Sequence, residues 1–302
     1  MGNSIMLVDL LHESIIRNAF IAGTIVAIVA AYVGYFVVLR SQSFAGEALT
    51  DIGFAGATGA AIFGVSSLVG MLLFALLSAL GIGALGERMR GRDIEIGMFL
   101  SFALGIGVLF LSIYTATGSA HSSSGLNILF GSILSVTTTD IQLSLIFGII
   151  IIIVTTFLFR PLLFASIDPE VAQTRGIPVR TLSIVFLLLL AATVTESVLV
   201  IGVLLVFALL IAPAATAALL THRPRTTVLV SIMLSLLFTW GGLSLAFIGT
   251  FGEHLPVSFY ISALASIAYF IAVIARRAHL LQPPRRTTAP VTTRVATMNR
   301  KA

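Results

Sequence analysis

The chain has 302 residues, 58% of them hydrophobic and 10% charged, with a net charge of +5 and a mean hydropathy of +1.11. A soluble domain carries about 25% charged residues, so this composition excludes a soluble globular protein, and its apolar content excludes a disordered one. The apolar runs are continuous and about 20 residues long, the length of a bilayer-crossing helix, rather than the ~10-residue alternating segments of a membrane barrel.

In chain order, Asn18–Leu39 is a clear span. Phe44–Phe63 is a weaker one, rich in Gly and Ala, and Ser66–Leu85 and Ile94–Thr117 follow. Leu126–Phe159 is too long for one straight helix, and divides into a short interfacial piece near Leu126–Leu134 and a span from Ile141 to Phe159. Thr181–Leu220 must be a hairpin of two spans, with its break placed near Glu196. Thr226–Ile248 and Pro256–Ile274 complete the set. The expected fold class is all-α, a polytopic transmembrane helical bundle of about nine spans. Residues 1–17 read as an N-terminal arm or amphipathic segment, 18–278 as the membrane domain and 279–302 as a disordered basic tail. No cleavable signal peptide is expected.

Basic residues set the orientation. Arg88, Arg90 and Arg92 share one loop, Arg160, Arg175 and Arg180 another, and Arg223 and Arg225 a third. The stretches Gly118–Gly125 and Gly252–Leu255 hold no Lys or Arg. The arginine-rich loops and the C-terminus are therefore expected in the cytoplasm, and Arg40 on that side places the N-terminus outside. The net positive charge follows from this topology and is no sign of nucleic-acid binding; membrane lipid is the expected surrounding, with the basic tail near anionic headgroups or simply solvated.

Ionisable groups inside a bilayer are costly and default to functional hypotheses. Glu47 and Asp51 stand four residues apart, on one helical face, among small residues that let another helix or a pathway come close. Two carboxylates there either protonate or share a cation; a loop with solvated acids is the alternative. An oxygen-only pair suits Mn²⁺, Fe²⁺ or other hard ions better than a zinc site of histidine or thiolate. Thr50 is a further candidate ligand. Glu196 reads as a solvated external turn or a pathway-lining acid. His121, Glu253 and His254 fall in external loops, His222 and His279 in cytoplasmic ones, and Asp140 reads as a helix cap. The chain has no cysteine, no P-loop motif, no HExxH and no supported nucleophile–base pair, so no catalytic constellation is expected.

Asp168-Pro169-Glu170-Val171-Ala172-Gln173-Thr174-Arg175-Gly176-Ile177-Pro178 is the most legible local structure. Asp168 suits the N-cap, Pro169 the first helical position and Glu170 the positive helix end. Arg175 closes the last turn, Gly176 permits a left-handed stop and Pro178 prevents continuation. A helix this short is unstable alone and must pack on its own bundle or on a cytoplasmic partner.

Four segments in this order resemble the permease subunit of the bacterial zinc/manganese/iron ATP-binding-cassette importers: Val38–Leu49, Leu129-Phe130-Gly131-Ser132-Ile133-Leu134, Asp168–Pro178 and Ile201–Ala217. The resemblance implies a bacterial plasma-membrane permease with no enzymatic activity of its own. ATP would be hydrolysed by a separate cytoplasmic ATPase, which receives the Asp168–Gly176 coupling helix, including Ala172. An extracytoplasmic solute-binding protein would deliver the metal, and a second permease copy would complete a homodimeric pathway. The metal would be a transported substrate rather than a bound cofactor. Family metal-handling positions carry over onto Glu47 and Asp51, where the family has Asp and His; Phe54-Ala55-Gly56 replaces its Leu-Pro-Gly. Competing readings are a self-contained secondary transporter relaying ions through Glu47, Asp51 and Glu196, an ATP-driven permease for a non-metal or chelated substrate, and a membrane anchor for a cytoplasmic assembly.

Overall fold

The computed structural model describes residues 14–85, 92–116, 136–221, 223–248 and 257–278. All regular structure among them is helical: α1 (Ser14–Leu39), α2 (Ser43–Ile62), α3 (Ser67–Leu85), α4 (Arg92–Ala116), α5 (Thr138–Ile167), α6 (Pro169–Thr174), α7 (Val179–Ile201), α8 (Val203–Leu220), α9 (Pro224–Ile248) and α10 (Val257–Arg277). Seven of these are long and apolar enough to cross a membrane; the seven leave out α2, α6 and α8. The interfacial piece near Leu126–Leu134, the tail from 279, and His121, His222, Glu253, His254 and His279 lie outside the described residues.

Side-chain contacts fix the helix directions. The α1–α5 pair is parallel: Gly148 of α5 sits against Val29 and Ile25, Tyr32 Oη is 3.1 Å from Thr156 Oγ1, and Phe36 packs on Phe159. The α1–α9 pair is antiparallel, since Ser231 donates to the Ala31 carbonyl while Trp240 donates to Thr24 Oγ1 at 2.9 Å. Gly83 meets Ile184, which puts the end of α3 beside the start of α7. Gly242 meets Ile261, which makes α9 and α10 antiparallel. One end of the bundle thus gathers Arg40, α6 with Arg175, Arg180, and Arg223 and Arg225 at the start of α9. The far end carries Arg17 and Asp140. That segregation matches the loop charges read from the sequence.

The core is built on close approach between small residues, the packing mode of helices that have no hydrophobic drive to associate in lipid. A Cβ added at Gly56 would lie 2.5 Å from the Gly70 carbonyl oxygen, and one at Gly70 would lie 2.3 Å from the Gly56 carbonyl oxygen. Helices α2 and α3 therefore cross backbone to backbone. Large apolar side chains lie on both sides of this packing: Phe36, Phe54 and Phe186 are fully buried, while Phe157, Met98 and Phe102 are 86%, 71% and 67% exposed. α1 and α7 are mostly buried, and α4 and α10 mostly face out.

Three sequence expectations need correction. The Thr181–Leu220 stretch does not break near Glu196. Helix α7 continues to Ile201, and the break is Gly202, at φ +83° and ψ 163°, a conformation essentially reserved for glycine. From there α7 packs on α3 and α5, and α8 on α1, α9 and α10. Helix α5 does not stop at Phe159 but runs through Pro161 to Ile167. Asp140 is not itself the N-cap. Thr137 is, and Asp140 answers it from the third helical position: Thr137 N donates to Asp140 Oδ2 at 3.0 Å, and Asp140 N donates to Thr137 Oγ1 at 3.3 Å, a reciprocal capping box.

Candidate functional site

Glu47 and Asp51 both lie on α2, as their spacing predicts. They are the fifth and ninth residues of a 20-residue helix, so at 1.5 Å per residue Asp51 lies about 12 Å in from its start, near the midpoint. The rest of that stretch is buried: Ala45, Gly46, Ala48, Leu49, Thr50, Ile52, Gly53 and Phe54. The two acids alone among residues 45–54 are only partly buried. Among the described residues no hydrogen bond or ion pair reaches either carboxylate, and the two stand one helical turn apart on the same face. The arrangement is a pair of carboxyl groups on an open strip of an otherwise packed helix, a place where one cation would relieve repulsion and desolvation together.

The surroundings hold the strip rigid. Gly53 abuts Met71 of α3, Gly59 abuts Phe110 of α4, and Gly46 lies under Leu210 of α8. Arg40 leads into α2 but turns toward α7: its guanidinium donates to Ser183 Oγ at 2.5 Å and stands 5.3 Å over the Phe186 ring. Thr50 is buried, and its hydroxyl donates to the Gly46 carbonyl at 2.8 Å; this bond points it along α2 rather than into the strip. Gln42, at the α1–α2 turn, keeps a buried Oε1 that has no hydrogen-bond partner among the described residues. No cluster of three or more His, Asp or Glu residues occurs among the described residues, so a cation at the pair needs carbonyls, water or another chain to fill its shell.

Glu196 is not in a solvated turn. It is 3% exposed inside α7; Ser144 Oγ of α5 donates to its Oε1 at 2.5 Å, and Ser197 Oγ donates to its Oε2 at 3.4 Å. Glu196 lines a small hollow of about 20 Å³, with Asp140 and Ser144 among the lining residues. That volume holds about one water. The hollow lies near the far end of the bundle, so Glu196 and the Glu47/Asp51 pair are not brought together. Nothing in the sequence pointed to Ser144, which is 52 residues away from its partner.

The α6 helix forms as the sequence predicts. Asp168 Oδ1 accepts from Val171 N at 3.0 Å, Pro169 occupies the first turn with Glu170, and Gly176 takes φ +80° after Arg175. Ala172 is fully buried against the bundle, and the Arg175 guanidinium lies 5.9 Å over the Phe164 ring of α5. Glu170, Val171, Gln173 and Thr174 face outward. The helix is pinned to its own bundle by one face and offers the other.

The model of the ABC 3 transport family matches residues 12–276. The chain belongs to this family. It is 29% identical over 265 residues to the manganese transport system membrane protein MntC of Halalkalibacterium halodurans, which covers 87% of this chain and 89% of that protein. It is 31% identical over 279 residues to the manganese import system permease protein ScaB of Streptococcus gordonii, covering 91% and 95%. Among solved structures, a chain of PsaBC from Streptococcus pneumoniae in complex with Fab superposes with a TM-score of 0.78 at 27% identity, covering 89% of this chain and 94% of that one. The ABC 3 match runs through α1–α9 and most of α10, so the carboxylate pair, α6 and the Gly202 joint all fall within the family region.

Proposed function

We propose that this ABC 3 chain is the membrane-spanning permease subunit of an ATP-driven importer, and that it carries manganese or a similarly hard divalent transition metal into a bacterial cytoplasm. The observation that carries the reading is the Glu47/Asp51 pair: two carboxylates on the half-open strip of α2, with no partner among the described residues, in a chain whose relatives of nearly equal length include a manganese transport system membrane protein and a manganese import system permease. Oxygen-only donors suit Mn²⁺. A pair lacking a full ligand shell binds weakly enough to release its ion, as conduction requires. The metal is a substrate in transit.

In this reading α2 and α8 join the seven candidate spans to give nine crossings. The arginine-rich end and the C-terminus face the cytoplasm. The N-terminal arm is residues 1–13, because α1 already begins at Ser14, and residues 279–302 form the cytoplasmic tail. Helix α6 is the coupling helix: its outward face, with Glu170 and Thr174, enters a cleft on a separate ATPase subunit, while Asp168, Pro169, Ala172, Arg175 and Gly176 hold its shape and seat. ATP hydrolysis belongs to that partner. A solute-binding protein delivers metal at the far end, and a second copy of the chain faces the open strip of α2. Glu196 lines the delivery side.

The test is elemental mass spectrometry of cells grown under metal limitation, with and without this chain. The reading expects cellular Mn to fall on deletion and return with the wild-type gene. Unchanged Mn, Fe and Zn in the deletion strain would refute it.

A further inference from the structure

A groove of about 520 Å³ opens on the side of the bundle between α1, α5 and α9. Tyr32 lies on its floor, Thr156 and Arg160 on the α5 wall, and Arg225, Leu229 and Ile232 on the α9 wall. Helix register sets the depth of each group. Phe159 packs on Phe36, which places Arg160 level with the last turn of α1. Ser231 bonds the Ala31 carbonyl, so Arg225, six residues earlier, lies about 9 Å closer to the arginine-rich end. Both guanidinium groups therefore converge at the same rim.

The two arginines are exposed, and among the described residues neither has an ion-pair partner. No acidic residue lines the groove. Deeper in, the polar groups Tyr32 and Thr156 satisfy each other at 3.1 Å, and the remaining deep wall is apolar. The outer surface beside the groove is also apolar, with Phe157 86%, Met233 66% and Ile153 61% exposed. A surface of that kind faces hydrocarbon rather than water or a polar subunit.

We propose that this groove binds an anionic phospholipid from the leaflet at the arginine-rich end, with the headgroup phosphate between Arg160 and Arg225 and an acyl chain along Leu229 and Ile232. Guanidinium forks match phosphate oxygens in geometry and charge, and basic pockets between membrane helices select anionic headgroups. A free phosphate would leave the apolar depth unused. A zwitterionic lipid would leave the positive rim uncompensated.

The experiment is native mass spectrometry of the full-length chain in mild detergent, titrated with phosphatidylglycerol or with phosphatidylcholine of the same acyl chains. Two rim charges predict roughly tenfold or greater preference for one phosphatidylglycerol per chain. Arg160→Gln with Arg225→Gln should bring that preference to within about twofold, and Leu229→Trp should weaken retention of both lipids by filling the groove. Arg276→Gln with Arg277→Gln, at the same end but outside the groove, should leave the preference intact. Melting followed by the fluorescence of Trp240, the single tryptophan, checks that each variant is folded. Equal retention of the two lipids by the wild type would overturn the proposal. So would equal loss in the Arg276/Arg277 variant, full competition by inorganic phosphate, or displacement of the lipid when a second copy or the ATPase subunit binds.

Discussion

Gly34→Ala tests whether the floor behind the Glu47/Asp51 strip is set by backbone contact. A Cβ at Gly34 would lie 1.8 Å from the Leu210 carbonyl oxygen and 2.9 Å from the Leu210 carbonyl carbon. The obstacle is backbone of α8, not the tip of a side chain, so α1 and α8 must part by about 1.2 Å to reach the 3.0 Å that Cβ contacts require. Overpacking of this kind costs about 1–3 kcal/mol, and a backbone clash belongs at the upper end. For 302 residues, at about 2.1 cal/mol/K of unfolding entropy per residue, about 3 kcal/mol lowers the melting temperature by roughly 5 °C. The displacement also has a functional path, because the Leu210 side chain sits 3.3 Å from the position of a Cβ on Gly46, one residue before Glu47. Metal uptake should therefore fall along with stability. Melting is read from Trp240, whose indole packs on Phe20 of α1 and so reports the α1–α9 contact directly. Gly81→Ala is the control, since nothing lies within 4 Å of its added Cβ, and its melting temperature should hold or rise slightly. A Gly34→Ala protein that melts within about 1 °C of wild type would refute the backbone-contact reasoning.

Three other substitutions probe separate parts of the account. Gly202→Ala puts a side chain at φ +83° and ψ 163° and should cost about 1–3 kcal/mol in detergent unfolding; an unchanged midpoint would mean the α7–α8 joint is not held in that conformation. Glu196→Ala leaves the buried Ser144 hydroxyl without its acceptor and should destabilise by about 1–3 kcal/mol, while Glu196→Gln keeps a carbonyl acceptor and should lose less; the two variants melting together would argue against the Ser144 bond. Asp168→Ala removes the cap on α6 and should cost about 1 kcal/mol locally, seen as faster amide exchange at residues 170–174, with Asp168→Asn closer to wild type.

The parts of the fold that were legible in the sequence are those set by local chemistry. α6 needed only Asp168, Pro169, Gly176 and Pro178 in order, because capping and a left-handed stop act within a few residues. The spacing of Glu47 and Asp51 likewise gave their shared face without tertiary information. The solvated-turn reading of Glu196 fails for the opposite reason. A carboxylate in an apolar run looks like a turn until its partner is known, and that partner, Ser144, comes from another helix. The true joint, Gly202, was visible as a residue, but its positive φ follows from the different packing of α7 and α8. Pro161 shows the same limit. It marks the end of a helix by local rules, yet α5 continues because its neighbours on α1 and α7 hold it. The lipid-facing groove had no linear signature, since Tyr32, Arg160 and Arg225 come together only through the register of three helices.

The central claim is that the Glu47/Asp51 strip carries the transported ion. The most direct measurement is the initial rate of radioactive manganese uptake in cells lacking the native copy of this chain. The cells would be supplied with wild type or with Glu47→Gln plus Asp51→Asn, at matched membrane abundance. The account predicts uptake at the level of cells without the chain for the double variant, with its melting temperature preserved because neither carboxylate bonds to the described residues around it. Wild-type uptake by that variant would contradict the account.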